Sequence, residues 1–341
     1  MAKKEARFFT RVDATRVRCS LCAHGCLIPE GKTGVCGARR NEGGTLVTEL
    51  YGTLIAEHVD PIEKKPFFHV LPGSSSYSIA TCGCNFRCSF CQNAEISQQL
   101  LVGRPTPPGR VVEAALRSGC RSIAFTYTEP TLMLEYALDT ATLAHHAGLC
   151  TLLVTNGYQS TEALDALAGA IDAANVDLKA FNDAFYRRLC GARLQPVLDA
   201  IAGMHARGIF VEITTLVVPG ENDDAGELRA LAEFIAALSP DIPWHVSRFH
   251  GAHRMLDREA TPLATLVRAR EAGRAAGLRY VYVGNVPGGG GEDTICPGCG
   301  ARVIERAGFE VTALRLRGAR CAACDREIPL ISGPGGRAVS A

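Results

Sequence analysis

The sequence predicts an α/β protein built on a parallel sheet, with a cysteine-rich segment at each end. Three observations predict it. Apolar runs alternate with helix-period segments between about residues 76 and 286. Polar outliers gather just after those runs. Fifteen cysteines fall mostly into groups, each confined to its own region of the chain.

The 341 residues are 47% hydrophobic, enough to bury a large core. The formal net charge is +1, so no overall field points to nucleic acid or to an anionic membrane. The start, MAKKEARFFTRVDATRV, lacks the apolar core of a signal peptide, and no apolar run is long enough to span a bilayer. A soluble cytoplasmic protein is expected. In such a reducing compartment, closely spaced cysteines read as metal ligands before they read as disulfides.

Taken in order, SYSIATC (76–82) reads as the first buried strand. SIAFTY (122–127), LCTLLVT (149–155), ANVDLK (174–179), IFVEITTLVV (209–218) and WHVSRF (244–249) are similar, and LRYVYVG (278–284) supplies a seventh. In the helix over 227–238, Leu228, Leu231, Ala232, Ile235 and Leu238 share a face. Leu134, Leu138 and Ala141 do the same in an earlier helix, which stops at Gly148, a usual residue just past a helix end. Such units predict right-handed crossovers and place chemistry at the carboxyl ends of the strands. CNFRCSFCQN, Thr128–Glu129–Pro130, Thr155–Asn156–Gly157, Asp177–Leu178–Lys179 and Arg248–Phe249–His250 all fall there. Turn chemistry explains any one of them; five on one rim point to a site.

Cys84, Cys88 and Cys91 lie in one loop leaving the first strand. Four thiolates close a zinc site or a cubane cluster, whereas three on a four-iron cluster leave one iron open to a ligand. A zinc site completed from elsewhere is the plainer alternative.

This loop resembles the signature of the radical S-adenosylmethionine enzymes, C-x3-C-x2-C with an aromatic, here Phe90, before the last cysteine. The resemblance implies a partial (β/α)6 TIM-like barrel and a [4Fe-4S] cluster on Cys84, Cys88 and Cys91. It further implies that S-adenosylmethionine chelates the open iron and is cleaved to a 5′-deoxyadenosyl radical. By the same resemblance Thr128 and Glu129 stand where the superfamily positions the cofactor's amino group, although the Gly-Gly-Glu-Pro pattern is met only in part. Asp177 and Lys179 resemble the DLK of pyruvate formate-lyase activating enzymes. Asn156 and His250 are further cofactor-contact candidates, each with a turn or a hydrogen-bonded rim as its plain reading. Longer stretches, 60–73, 83–98, 177–192, 243–250 and 280–288, are similar to the radical enzyme of the AmmeMemoRadiSam system. That resemblance implies Memo-like and AMMECR-type proteins as partners and an electron donor such as flavodoxin or ferredoxin.

Cys296, Cys299, Cys321 and Cys324 form CPGC and CAAC knuckles, the layout of a zinc ribbon or rubredoxin-like site. Zinc is the first expectation and iron the second. Cys19, Cys22, Cys26 and Cys36 make another four-thiolate set for Zn2+ or an iron–sulfur cluster, with His24 able to replace one of them. Cys82, Cys120, Cys150 and Cys190 read as core packing. The run DPIEKKP (60–66) reads as a solvated loop, or else as a cover over the rim that meets substrate.

The expected units are a metal-binding extension over 1–75, a core over 76–287, a ribbon over 288–331 hinged at Gly288–Gly291, and a disordered tail over 332–341. The competing function is a zinc-binding nucleic-acid or protein adaptor with an inert α/β core. Neutral charge, 6% aromatic content and the lack of a basic stripe argue against it.

Overall fold

The computed structural model describes residues 3–100, 103–286 and 288–335. Its centre is one eight-stranded sheet: β1 (Ala56–Pro61), β2 (Ser75–Ala80), β3 (Ser122–Phe125), β4 (Cys150–Thr155), β5 (Ala173–Asp177), β6 (Phe210–Val217), β7 (Trp244–Arg248) and β8 (Val281–Gly284). Order in space follows order in the chain. β2 to β8 run parallel, and β1 pairs antiparallel with β2. Among the described residues β1 and β8 do not pair, so the sheet curves without closing.

The strands form where expected because both faces are covered. Ser122–Phe125 is buried throughout, and every residue of Cys150–Thr155 except Val154 is buried. The covering helices are α1 (Pro108–Arg117), α2 (Leu134–His146), α3 (Thr161–Leu167), α4 (Leu194–Ala206), α5 (Ala225–Leu238) and α6 (Leu263–Ala275). Pro108 starts α1 where a missing N–H costs nothing. The Ser160 hydroxyl caps α3 and the Asp224 carboxylate caps α5, each accepting from orphan N–H groups of the first turn. Leu228, Leu231, Ala232 and Ile235 are the buried face of α5, as the helical period requires. No described helix is long and apolar enough to cross a membrane.

The sequence places the core's start at 76, yet β1 already belongs to the sheet, and the segment after it fills the barrel's amino end. Ile62, Phe67, Val70 and Leu71 pack against Ala124, Leu152 and Ala173 from three neighbouring strands. Backbone groups of this plug are satisfied by inward-facing polar residues. Asn175 Nδ2 donates to the Pro66 carbonyl at 2.8 Å, and the Glu212 carboxylate accepts from the Phe68 and His69 amides at 3.1 and 2.9 Å. DPIEKKP is therefore no solvated loop: Asp60, Glu63 and Lys65 are buried, since the segment is wall and floor of the barrel.

The ribbon seats on this floor. It comprises antiparallel strands Thr294–Ile295, Arg302–Ala307 and Glu310–Leu314, with a small hairpin of Leu316–Arg317 and Arg320–Cys321. Phe68, Tyr280 and Tyr282 share a buried cluster with Val303, Ile304 and Ile328. Arg306 lies over the Phe68 ring and donates to the Phe68 carbonyl at 2.7 Å. The expected hinge is tied down at its far end, where Val283 N donates to Gly291 O at 3.0 Å. Pro287 and residues 336–341 of the expected tail lie outside the described residues; Gly335 N still bonds Asp172 at 2.9 Å.

The N-terminal extension is two three-stranded antiparallel sheets, Lys4–Glu5 with Thr45–Thr48 and Arg39–Glu42, and Phe9–Arg11 with Arg16–Cys19 and Leu27–Pro29. It is anchored to α2 by an ion pair in which both side chains are 1% exposed, with Arg39 Nη2 2.6 Å from Glu135 Oε2. Truncating either partner leaves a buried charge unpaired, at a cost of about 3–5 kcal/mol.

His69 joins plug to ribbon. The Pro329 carbonyl can only accept, so Nδ1 carries the proton (2.8 Å) and Nε2 accepts from the Tyr282 hydroxyl (2.6 Å). Burial depresses its pKa from 6.5 to about 4. Below pH 6.5 the unfolded chain takes up a proton that the folded chain refuses. This contribution is thus complete above that pH and is lost as pH falls towards 4, by roughly 3 kcal/mol in total. Denaturant titrations at stepped pH should show this loss in the wild type and a shallower one in His69→Gln; equal slopes would rule out His69 as the cause.

Candidate functional site

The site is built where β2 ends. Gly83 turns the chain with φ +88°, and an added Cβ there would meet Leu132 and Leu100 side chains at 3.2 and 3.3 Å. The cysteine loop then crosses the carboxyl ends of the strands, held from both sides. Phe86 packs edge-on to Tyr158 (5.0 Å), and Phe90 lies 5.7 Å from Phe185. Arg87 N and Ser89 N donate to the carbonyls of Cys190 and Leu189 at 2.8 and 2.9 Å. Fully buried aromatics of this kind are worth about 3–5 kcal/mol each on truncation to alanine. The loop is thus fixed by its phenylalanines, and its cysteines are left to face inward.

They face an open cavity of about 510 Å³, within the size range of small-molecule sites. Cys84, Cys88 and Cys91 line it together with Thr128, Glu129, Asn156, Asp177 and Lys179. The geometry gathers every candidate of the core site except His250, which is exposed and outside the lining because the chain turns away after Phe249.

Glu129 is 2% exposed and organises the rim. One carboxylate oxygen accepts from Thr131 N (3.0 Å), the Thr131 hydroxyl and the Thr155 hydroxyl (2.7 Å). The other accepts from Asn156 N at 2.9 Å. Burial raises its pKa, and these donors oppose the rise. The residue holds the ends of β3 and β4 together and so fixes Asn156. Gly157 permits that approach, since a Cβ there would sit 2.7 Å from Val176 Cγ1.

Asn156 Nδ2 donates to Asn85 Oδ1 at 2.7 Å and lies 3.7 Å from Cys84 Sγ. Its Oδ1 is buried with no hydrogen-bond partner, an acceptor left for a ligand. Lys179 Nζ donates to Asp177 Oδ2 at 2.9 Å. Burial works to lower the Lys179 pKa, but the charges of Asp177, Cys88 and Cys190 outweigh it and the pKa rises well above the ordinary value. Burial pushes the Cys84 thiol far up, and Lys179 pulls it back. Cys88 goes down, chiefly through a hydrogen bond with Cys190. Thiolates need such positive company to persist in a buried site. Thr128 Oγ1 donates to the Thr81 carbonyl at 2.7 Å.

Several residues here were not singled out in the sequence. Ser97 Oγ lies 3.1 Å from Cys91 Sγ, and Asn85 sits between Cys84 and Asn156. Cys190, taken as core, is buried yet touches Cys88; nothing near it in the sequence marks that. Lys64 and Lys65, which the second reading of DPIEKKP would turn towards substrate, also line the cavity, and both pair with Asp60 at 2.8 and 2.6 Å. Their charge run was the available signal.

At the other end, the four ribbon sulfurs all lie within 4.8 Å of one another, with Cys296 to Cys324 at 3.6 Å and Cys299 to Cys321 at 3.7 Å. Metal–sulfur bonds of about 2.3 Å in a tetrahedron put sulfurs roughly 3.8 Å apart. The set fits one tetrahedral ion. Cys19, Cys22, Cys26 and Cys36 line a separate small cavity, with His24 beside them; its ring nitrogen is engaged with Asn85 O at 2.8 Å.

Three thiols of one loop thus stand at the carboxyl ends of a parallel sheet, around a cavity. Residues 78–235 match the Radical SAM superfamily. An uncharacterized protein of Methanocaldococcus jannaschii is 41% identical over 334 residues, 96% of this chain and 99% of that protein. Another from that organism, named a putative glycyl-radical enzyme activating enzyme, is 26% identical and spans 62% of this chain and 80% of its own length. A radical SAM methyltransferase from Sphaerobacter thermophilus shares the fold, with a TM-score of 0.51 at 16% identity over 83% of this chain and 78% of that one. The chain belongs to the Radical SAM superfamily and is an enzyme of that type, which sets the inert-core adaptor aside.

Glu129→Gln replaces an acceptor oxygen by an amide facing donors and leaves buried N–H or O–H groups unpaired. A loss of about 1–3 kcal/mol is expected in denaturant titration. An unchanged midpoint would mean that the rim does not depend on this carboxylate.

Proposed function

We propose that Cys84, Cys88 and Cys91 hold a [4Fe-4S] cluster at which S-adenosylmethionine binds, and that the enzyme abstracts hydrogen from its substrate. When bound, this pair supplies reductive cleavage of the cofactor to methionine and a 5′-deoxyadenosyl radical. The observation carrying the proposal is the placement of three loop thiols on one wall of a cavity whose other walls end in Asn156, Asp177 and Lys179. The donor set fits: three soft thiols suit iron, and the orphan Asn156 Oδ1 offers an acceptor beside them.

The chain's own groups bind and orient. Lys179 keeps N–H donors beyond the one given to Asp177 and so suits a carboxylate in the cavity. Asp177 keeps one oxygen free for a hydroxyl or a positive centre. Asn156 accepts from an amine or ribose hydroxyl, Thr128 stands on the adjoining rim, and Glu129 acts through Asn156 as a positioning residue. Phe86 and Phe90 keep water from the thiol side, which protects a reactive radical from quenching. His250 is not assigned a contact.

Membership of the AmmeMemoRadiSam branch is the finer reading. It rests on the long motif resemblances and makes Memo-like and AMMECR-type proteins the partners, with a flavodoxin- or ferredoxin-type donor. The relative named as a putative glycyl-radical activating enzyme favours hydrogen abstraction from a partner protein. The ribbon holds zinc in this reading, bracing the floor of the barrel.

Anaerobic, reduced protein should convert S-adenosylmethionine to 5′-deoxyadenosine, seen by chromatography, and the Cys84→Ala/Cys88→Ala/Cys91→Ala variant should not. No product from wild type with a full reduced cluster and added cell extract would end the proposal. Lys179→Ala should keep its cluster iron and bind the cofactor about tenfold more weakly. Loss of the iron would make Lys179 structural instead. Stripping the ribbon metal with a chelator should release zinc and lower the melting temperature of the full chain; release of iron alone would reassign the ribbon.

A further inference from the structure

The two cysteine-rich ends of this chain offer thiols at different spacings. In the ribbon, four sulfurs crowd within 4.8 Å because all four can share one ion. Among the described residues no other three ligating side chains meet that distance, so neither the core triad nor Cys19, Cys22, Cys26 and Cys36 crowds in this way. The wide set still encloses something. All four N-terminal cysteines line one small cavity, closed by Leu21, Ile28 and Leu132. Thiols held apart around a space suit a cubane, in which each sulfur binds a different iron and the cluster body occupies the middle.

Two buried donors point the same way. Arg39 lines the cavity, is 1% exposed, and spends only Nη2 on Glu135; its Nε and Nη1 have no hydrogen-bond partner. A guanidinium with idle N–H groups beside four thiols is costly unless they meet an anion. Its charge acts on both Cys19 and Cys36. Asn85 also lines the cavity, with its side-chain amide turned to Cys22.

We infer that Cys19, Cys22, Cys26 and Cys36 hold a second, fully cysteine-ligated [4Fe-4S] cluster, with Arg39 as its buried counter-charge. The inference does not rest on the radical reading of the core triad. Placement makes this an auxiliary centre to that site. The loop carrying it is stitched to the end of β4, with Ala23 N donating to Tyr158 O at 3.0 Å and Ser160 N to Leu21 O at 3.2 Å. Arg87, inside the core cysteine loop, donates to the Val35 carbonyl at 3.0 Å. Asn85 touches both centres: one end of its amide faces Cys22, and the other accepts from Asn156 beside Cys84. A single side chain thus separates the two sets of thiols.

The full chain, purified and reconstituted anaerobically, should carry about eight iron and eight sulfide per chain with zinc confined to the ribbon. The Cys84→Ala/Cys88→Ala/Cys91→Ala variant should keep about half that iron, in a cluster whose reduced electron paramagnetic resonance signal ignores added S-adenosylmethionine. Cys22→Ser/Cys26→Ser should keep only the signal that responds to the cofactor. If that variant does not fold, the core-triad variant decides alone. About four iron with a second zinc that survives in the core-triad variant would overturn the inference. Four iron in wild type, all retained in the core-triad variant, would instead uphold it and sink the radical-cluster reading.

Discussion

A curved parallel sheet that does not close has an interior that must be filled at one end and left empty at the other. Everything else here depends on how that is done. Plug residues 62–71 fill the amino end, packing apolar side chains against β3, β4 and β5 and giving their backbone groups to Asn175 and Glu212. With the floor fixed, the carboxyl end stays an open cavity, and the loops after the strands can supply chemistry without also supplying the core. The ribbon braces the plug from behind through Phe68, Arg306 and His69.

Buried charge is used in the same way at three levels. Glu212 meets two backbone amides and His245 at the floor, Glu129 meets four donors at the rim, and Glu135 meets Arg39 where the extension docks. Each carboxylate ties segments distant in sequence. Such groups tolerate burial only when their lone pairs are filled, so they specify one arrangement of the loops they join. At the rim, this leaves the Asn156 carbonyl as a free acceptor beside Cys84.

The strands were legible because continuous apolar runs of β-formers have no other stable use in a chain of this pattern. The rim was legible for a related reason: Thr128, Asn156, Asp177 and Lys179 end buried strands, where polar groups are costly without a purpose. Cys84, Cys88 and Cys91 were marked by their spacing together with Phe90 and their place after the first strand, which carry the family resemblance. The same logic failed for Arg248–Phe249–His250, where Phe249 is the buried residue and His250 follows the chain outward. Of the two readings of DPIEKKP the solvated loop failed, since a mixed charge run reads as solvated until a partner such as Tyr127 or Arg306 is known to lie across it.

What the sequence determined by itself is therefore local: strand and helix periods, the three-thiol loop and its family, and the three groups of cysteines. The tertiary structure decided what depends on distance between segments far apart in the chain. It closed the floor with residues expected to be loop, brought Cys190 to Cys88, and set four thiols tight in the ribbon and four around one small cavity in the extension. Spacing along a chain limits which sulfurs can share a metal. Only the packing of Arg39, Asn85 and the surrounding apolar side chains determines how far apart those sulfurs are held, and so which metal centre they suit.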